Sequence, residues 1–213
     1  SISAMMACKA SIRANTEISL EEMNKIIENG DADKMVKISE ALQVRGIEVL
    51  GDTIAARPDV KAVLIAGPSS SGKTTFSKKL SVALEQNGIT AKCISIDDYY
   101  IDRDKIAPGP DGKIDLEHIN TIDTELFGQH LQQLLEGKEV EIPVFNFKTG
   151  RREWRGHKMR LNEDSVIIVE GLHGLNPAML PENVDQNLIF RLYVSPMIPL
   201  NLDNHNRIPT SYL

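Results

Sequence analysis

The stretch IAGPSSSGKTTFSKKL, residues 65–80, decides how the rest of the chain is read. Gly67, Gly72, Lys73 and Thr74 satisfy the spacing G-x-x-x-x-G-K-[ST]. Before it, VKAVLIAG is a continuous apolar run of strand length; after it, residues from about Lys73 to Asn87 read as a helix that ends at Gly88. A glycine-rich turn between a buried strand and a helix is the context this spacing requires to bind phosphate. The glycines let backbone N–H groups point into one concavity at the positive end of a helix. Lys73 offers an ammonium to terminal phosphates, and the Thr74 hydroxyl can sit on Mg²⁺. With glycine at about 7% of residues, the four fixed positions arise by chance in about one chain of this size in a hundred. A serine-rich surface turn is the plainer alternative, but it leaves the flanking elements unexplained. The expectation is ATP or GTP binding, with Gly67, Ser69, Ser70, Ser71, Gly72, Lys73, Thr74 and Thr75 as the cradle.

Outward from this loop, strands alternate with helices. TAKCISID reads as the next strand, and Asp123 or Thr124 can cap the helix ELFGQHLQQLLEG, which buries Leu126, Phe127, His130, Leu131, Leu134 and Leu135 on one face. VEIPVFNF, SVIIVEG and NLIFRLYV follow as strands. This alternation predicts an α/β protein of the P-loop NTPase fold, with a mostly parallel sheet and flanking helices. Residues 59–213 form that domain. Residues 1–58 are expected to be an N-terminal helical appendage or connector. There Ser19 and Glu22 make a capping box for LEEMNKIIENG, and Asp31 can cap a second helix that stops before Pro58.

Composition narrows the function classes. At 213 residues the chain can hold one such domain plus an appendage, and no apolar run approaches the ~18 residues of a membrane span. A net charge of −6 argues against a general nucleic-acid binder. Cys8 and Cys93 have neither metal-ligand spacing nor the density of a disulfide framework, and no cleavable signal is evident, so a soluble cytoplasmic protein is expected. The chain opens on Ser1 and closes on Leu213 without an initiator Met or a helix stop, and it is read as a fragment.

Ligands of an open α/β sheet bind beyond the carboxyl ends of its strands. Asp97 and Asp98 follow CISI at one such end, and Glu170 follows SVIIV at another. Glu170 can hold Mg²⁺, which prefers a few oxygen ligands, or it can cap the following LHGLN. Asp97 can take the proton of an attacking hydroxyl. Asp98 can do likewise or simply cap the turn.

With SIDDYY, FNFKTGRR and VIIVEGLHGLN beside the cradle, the chain resembles the phosphoribulokinase and uridine kinase family over about residues 22–210, closest to the bacterial nucleoside kinase-like branch. The resemblance implies an ATP-dependent kinase for a small-molecule acceptor, with ATP and Mg²⁺ bound. Asp97 matches the family's catalytic base and metal-shell ligand, and Tyr100 falls on the substrate side. Thr74 and Glu170 complete the metal shell. In DLEHINTID, Glu117 takes the place of a sugar-binding carboxylate and His118 that of the adjacent His; a solvated loop acid is the alternative for Glu117. Phe145 and Phe147 supply the aromatic pair that faces the acceptor, or else they pack as core residues sharing one face at period two. Thr149 and Gly150 stand where uridine kinases carry a base-reading His.

Lys148, Arg151, Arg152, Arg155, Lys158 and Arg160 follow as a basic run. They read as a solvated hairpin or as a site for a phosphorylated acceptor, with Arg152 the foremost candidate. His157, His173 and His205 lack ligand-like spacing. The family continues into a lid bearing Arg-Arg-x-x-Arg-Asp. This sequence stops before such a run, so the resemblance implies ATP binding with poor transfer by this chain alone. The leading expectation is a kinase acting on the 5′-OH of a nucleoside such as uridine or cytidine. The alternatives are a kinase for a phosphorylated sugar and a regulatory module that binds nucleotide without turnover. The partner expected is thus a small-molecule acceptor rather than nucleic acid or membrane, and a homo-oligomer is allowed.

Overall fold

A computed structural model describes residues 18–19, 25, 28–69, 71–108, 115–182, 184–195 and 200–201. Its elements are α1 (Ala32–Ala55), β1 (Ala62–Ala66), α2 (Lys73–Gln86), β2 (Thr90–Ser95), α3 (Thr124–Leu135), β3 (Val140–Glu141), β4 (Val144–Asn146), β5 (Arg151–Glu153), β6 (Lys158–Met159), β7 (Ser165–Glu170) and β8 (Ile189–Tyr193). Short 3₁₀ turns connect them, and Ile18–Ser19 pairs in parallel with Leu200–Asn201.

β2, β7, β1 and β8 lie side by side in that order, all parallel, as expected for strands whose crossovers carry helices. β1 is buried at every position and β7 at all but its last, so both are apolar runs that need cover on two faces. Period-two alternation sorts their side chains. Leu64, Ile167 and Val169 join Tyr99, Phe127 and Leu131 under α3. Val63, Ile65, Val166 and Ile168 join Leu80 and Leu84 of α2 on the other face, with Ile47, Leu50 and Ile54 of α1. The second half of α1 thus covers the sheet through α2. The two helices come close enough that a Cβ at Gly51 would stand 2.9 Å from that of Ala83.

Local expectations fare unevenly. Asp123 caps α3 through its carboxylate, which accepts the Leu126 N–H at 3.0 Å. Asp31 precedes α1 but makes no capping bond with its side chain, which corrects the expectation for that residue. The helix expected from Leu20 to Asn29 lies for the most part outside the described residues. VEIPVFNF is not one strand: Pro143, which has no N–H for a ladder, separates β3 from β4. β3 pairs antiparallel with β6, and β4 with β5.

Register sets the site. Glu170, the last residue of β7, lies opposite Ile65 of β1 on one side and Ser95 of β2 on the other. The loop after β1, the turn after β2 and Glu170 therefore emerge at one level, at the carboxyl end of the sheet.

Candidate active site

The loop from Gly67 to Gly72 leaves β1 and turns into α2. Gly67 is the tight point: a Cβ there would come 2.1 Å from the Val194 carbonyl oxygen and 2.8 Å from Ser71 Oγ. Gly72 has φ of +80°, a conformation that side chains resist, and it starts α2 at Lys73. Ser71 N–H donates to the Pro68 carbonyl at 3.2 Å. Lys73 Nζ curls back over the loop and donates to the same carbonyl at 2.8 Å. Ser71 Oγ is buried without a hydrogen-bond partner among the described residues. A buried hydroxyl left unpaired, a lysine folded over its own loop and a helix start together suit an anion of phosphate geometry. Ser69, Thr74 and Thr75 are exposed around the loop; Ser70 lies outside the described residues.

Thr74 Oγ1 donates to Glu170 Oε1 at 3.3 Å, joining the cradle to the end of β7. Glu170 caps no helix, which removes that alternative. Thr74, Glu170 and Asp97 offer only hard oxygen donors, a set that fits Mg²⁺. Among the described residues, no three His, Cys, Asp or Glu side chains form an all-protein cage. Mg²⁺ in phosphoryl-transfer sites does not need one, because phosphate and water complete its shell.

β2 runs into a 3₁₀ turn, Ile96–Tyr99, that carries both aspartates. Asp97 sits at its exposed mouth. Lost hydration raises its carboxyl above the usual range, Glu170 raises it further, and Lys73 and His173 oppose them. Asp98 is raised by burial, but its carboxylate is already engaged: Oδ1 accepts the Phe145 backbone N–H at 3.1 Å. That bond distinguishes the neighbours, because Asp98 is tied to the hairpin while Asp97 is exposed.

Tyr100 donates its hydroxyl to the Leu116 carbonyl at 3.0 Å. Burial, then Asp97 and Glu117, push its phenol up to about 12. Its ring meets Phe145 at 5.3 Å and Phe147 at 5.9 Å, and those two meet at 5.1 Å. Phe145 and Phe147 do share a face, yet Phe145 is 5% exposed and Phe147 51%. The trio is therefore anchored in the core and open at its tip.

Glu117 and His118 lie in the loop before α3. His118 Nδ1 accepts the Asn120 N–H at 3.2 Å and so caps a 3₁₀ turn. The Glu117 carbonyl bonds His173 Nε2 at 2.8 Å. His173 is the residue that spacing alone misses. It clamps the Glu117 loop to the turn after β7 and acts on Asp97. The signal lay in VEGLHGLN, where a histidine sits between glycines of close approach: Cβ atoms at Gly171 and Gly174 would come 2.7 Å from Ile96 Cβ and 2.4 Å from the Ile65 carbonyl oxygen.

The basic run is largely neutralised. Arg152 places NH1 and NH2 each 2.9 Å from Asp123 Oδ2, with only 19% of its side chain exposed. Arg151 pairs with Asp104, Arg155 with Glu153 and Lys158 with Glu139. Arg160 donates to the Gly137 carbonyl. His130 lies in the core and bonds the Tyr99 hydroxyl at 3.0 Å.

A parallel sheet of order β2-β7-β1-β8, with a phosphate cradle between β1 and α2, defines a P-loop kinase fold. Residues 62–207 match the phosphoribulokinase / uridine kinase family, and the chain belongs to that family. Two curated relatives are uridine kinases. That of Brevibacillus brevis is 32% identical over 108 residues, covering 51% of this chain and 49% of the relative. That of Ureaplasma urealyticum is 28% identical over 123 residues, 58% of each. The chain thus spans about half the length of the curated relatives it matches. A solved structure described as a possible uridine kinase from Bacillus stearothermophilus superimposes with a TM-score of 0.56 at 24% identity, over 69% of this chain and 78% of that one. A putative fructose transport system kinase from Silicibacter gives 0.52 at 24% identity, over 62% and 67%.

Proposed function

We propose that the protein is an ATP-dependent kinase that moves the γ-phosphoryl group to a hydroxyl of a small molecule, the 5′-OH of a nucleoside such as uridine or cytidine. The observation that carries this reading is the position of Asp97. Lys73 and Glu170 act on its carboxyl from the cradle side, and it acts in turn on Tyr100, a half-buried member of the aromatic trio. The geometry behind this is that Ser95 of β2 pairs with Glu170, which bonds Thr74 of the cradle, while Tyr100 meets Phe145, so Asp97 lies along the chain between residues of the two sites.

In this reading the cradle N–H groups bind the phosphate chain, and Lys73 exchanges the Pro68 carbonyl for a terminal phosphate oxygen. Thr74, Glu170 and Asp97 would hold Mg²⁺, which supplies neutralisation of phosphate charge when bound. Asp97 accepts the proton of the acceptor hydroxyl. That oxygen bonds to the γ-phosphorus as the bond to the bridging oxygen breaks, and ADP leaves with the electron pair. A carboxyl raised above its ordinary range is a better base near neutrality than an unperturbed one. Tyr100, Phe145 and Phe147 stack the acceptor's ring, with Phe147 as the open edge. Glu117 accepts from sugar hydroxyls, its loop held by His173, and His118 supports that loop through its cap.

The uridine kinases among the relatives support the nucleoside as acceptor. A phosphorylated acceptor is less well supported, because Arg152 already serves Asp123.

The test is ADP release from Mg·ATP across nucleosides, sugars and sugar phosphates. Release that requires a nucleoside supports the proposal. ATP binding with no acceptor-dependent release, from this chain and from a form extended through an arginine-bearing lid, would replace it with a module that binds nucleotide without turnover.

A further inference from the structure

The hairpin β4–β5 bears the aromatic pair, yet nothing in its own ladder fixes its height relative to Asp97. Phe145 pairs with Arg152 across it. Neither backbone N–H of this pair bonds the partner strand; both point out of the hairpin, one from each edge. This is the geometry of a non-hydrogen-bonded antiparallel pair. Each outward N–H is taken by a carboxylate from the segment that follows β2. Asp98 Oδ1 accepts Phe145 N–H at 3.1 Å, and Asp102 Oδ1 accepts Arg152 N–H at 2.9 Å. A third bond, from Arg103 N–H to the Gly150 carbonyl at 2.9 Å, holds the hairpin's end.

We propose that Asp98 and Asp102 are positioning residues that clamp the hairpin from its two edges and so set the aromatic wall against Asp97. Asp98 is the more consequential of the two, because it adjoins Asp97 in the chain and grips Phe145 itself. Carboxylates are well suited to such a clamp, because each is an acceptor with no competing donor of its own, and a charged acceptor strengthens a backbone N–H bond. The clamp accounts for two acidic side chains of this segment that the proposed chemistry leaves unused. It rests on the kinase reading for its effect on the acceptor, though the clamp itself can be measured without turnover.

The experiment compares the whole protein with Asp98→Ala, Asp98→Asn and Asp102→Ala. Steady-state kinetics report acceptor KM and kcat, calorimetry reports ATP affinity, and amide hydrogen exchange is followed over residues 144–153. Asp98→Ala is expected to raise acceptor KM about tenfold or more, as losing a hydrogen bond to a charged acceptor implies. ATP affinity should hold, and exchange across the hairpin should quicken. Asp98→Asn should recover most of the KM, because its amide oxygen still accepts. Asp102→Ala should quicken exchange in β5 with a smaller rise in KM. Unchanged exchange in both alanine variants would overturn the clamp, whether or not the protein turns over. Loss of kcat in Asp98→Asn equal to that in Asp98→Ala would also overturn it, by assigning the charge to chemistry. Failure of every form, wild type included, to release ADP would count against the kinase reading; the exchange data would still decide the clamp.

Discussion

Gly67→Ala tests whether the cradle is held by the sheet as the structure requires. The backbone φ at Gly67 lies outside the left-handed region, so the constraint is space rather than conformation. The new Cβ would stand 2.1 Å from the Val194 carbonyl oxygen. Side chains do not tolerate such contacts below 3.0 Å, so one backbone must move by at least the difference, about 0.9 Å. The neighbour cannot give freely, because Val194 N–H donates to the Ala66 carbonyl at 2.7 Å, a bond that extends the five-residue pairing of β8 with β1. Overpacking of this kind costs about 1–3 kcal/mol, and weakening that bond adds about 1 kcal/mol. A total of about 2–4 kcal/mol, at about 2–4 °C per kcal/mol, lowers Tm by roughly 4–16 °C. The same shift misaims the N–H groups at the loop's mouth, so ATP affinity should fall at least about tenfold, the equivalent of one charge-assisted hydrogen bond. Thermal melts and calorimetric titration with Mg·ATP measure both. An alanine variant that melts within about 2 °C of wild type and binds ATP equally well would refute the packing argument.

Three further outcomes follow from the same geometry. Lys73→Ala should weaken ATP binding by about 10- to 100-fold, the loss of a charged hydrogen bond, with Tm little changed; titration with Mg·ATP checks it. Arg152→Ala should destabilise the fold by about 1–3 kcal/mol, because it leaves half-buried Asp123 unpaired, and should not alter preference between phosphorylated and neutral acceptors. Melts and acceptor kinetics separate these, and a lost preference for phosphorylated acceptors would restore Arg152 to substrate binding. His130 is held below its ordinary pKa first by burial and then by Arg152. The folded state therefore binds fewer protons there than the unfolded state, and its contribution to stability is lost as pH falls below about 6.5. Denaturant melts between pH 7 and 5 should show a shallower pH slope in His130→Phe than in wild type.

How much was legible in the sequence depended on whether a feature is local. The cradle was, because its glycines obey backbone rules that leave a spacing: φ of +80° at Gly72 and close approach at Gly67. The buried strands β1 and β7 were legible as unbroken apolar runs, and Asp123 as a cap by its place before α3. Asp31 held an equally good capping position and makes no such bond; the buried residues of α1, Ile47, Leu50 and Ile54, lie far along the helix from it. What the sequence hid is long-range. Asp97 and Asp98 are adjacent and alike; only a backbone N–H 47 residues away separates their environments. Arg152 looked free beside five other cations, but a carboxylate 29 residues earlier claims it. His173 carries no motif of its own, and its partner is a carbonyl 56 residues away.

If Asp97 stands between bound ATP and an acceptor hydroxyl, the product of the reaction shows it. Mass spectrometry of the acceptor after incubation with Mg·ATP, with wild type and Asp97→Asn run in parallel, reads that product. Wild type should yield a phosphorylated nucleoside, and the variant should yield it about 10²- to 10⁴-fold more slowly with similar ATP affinity. Equal rates from the two proteins would contradict the role given to Asp97.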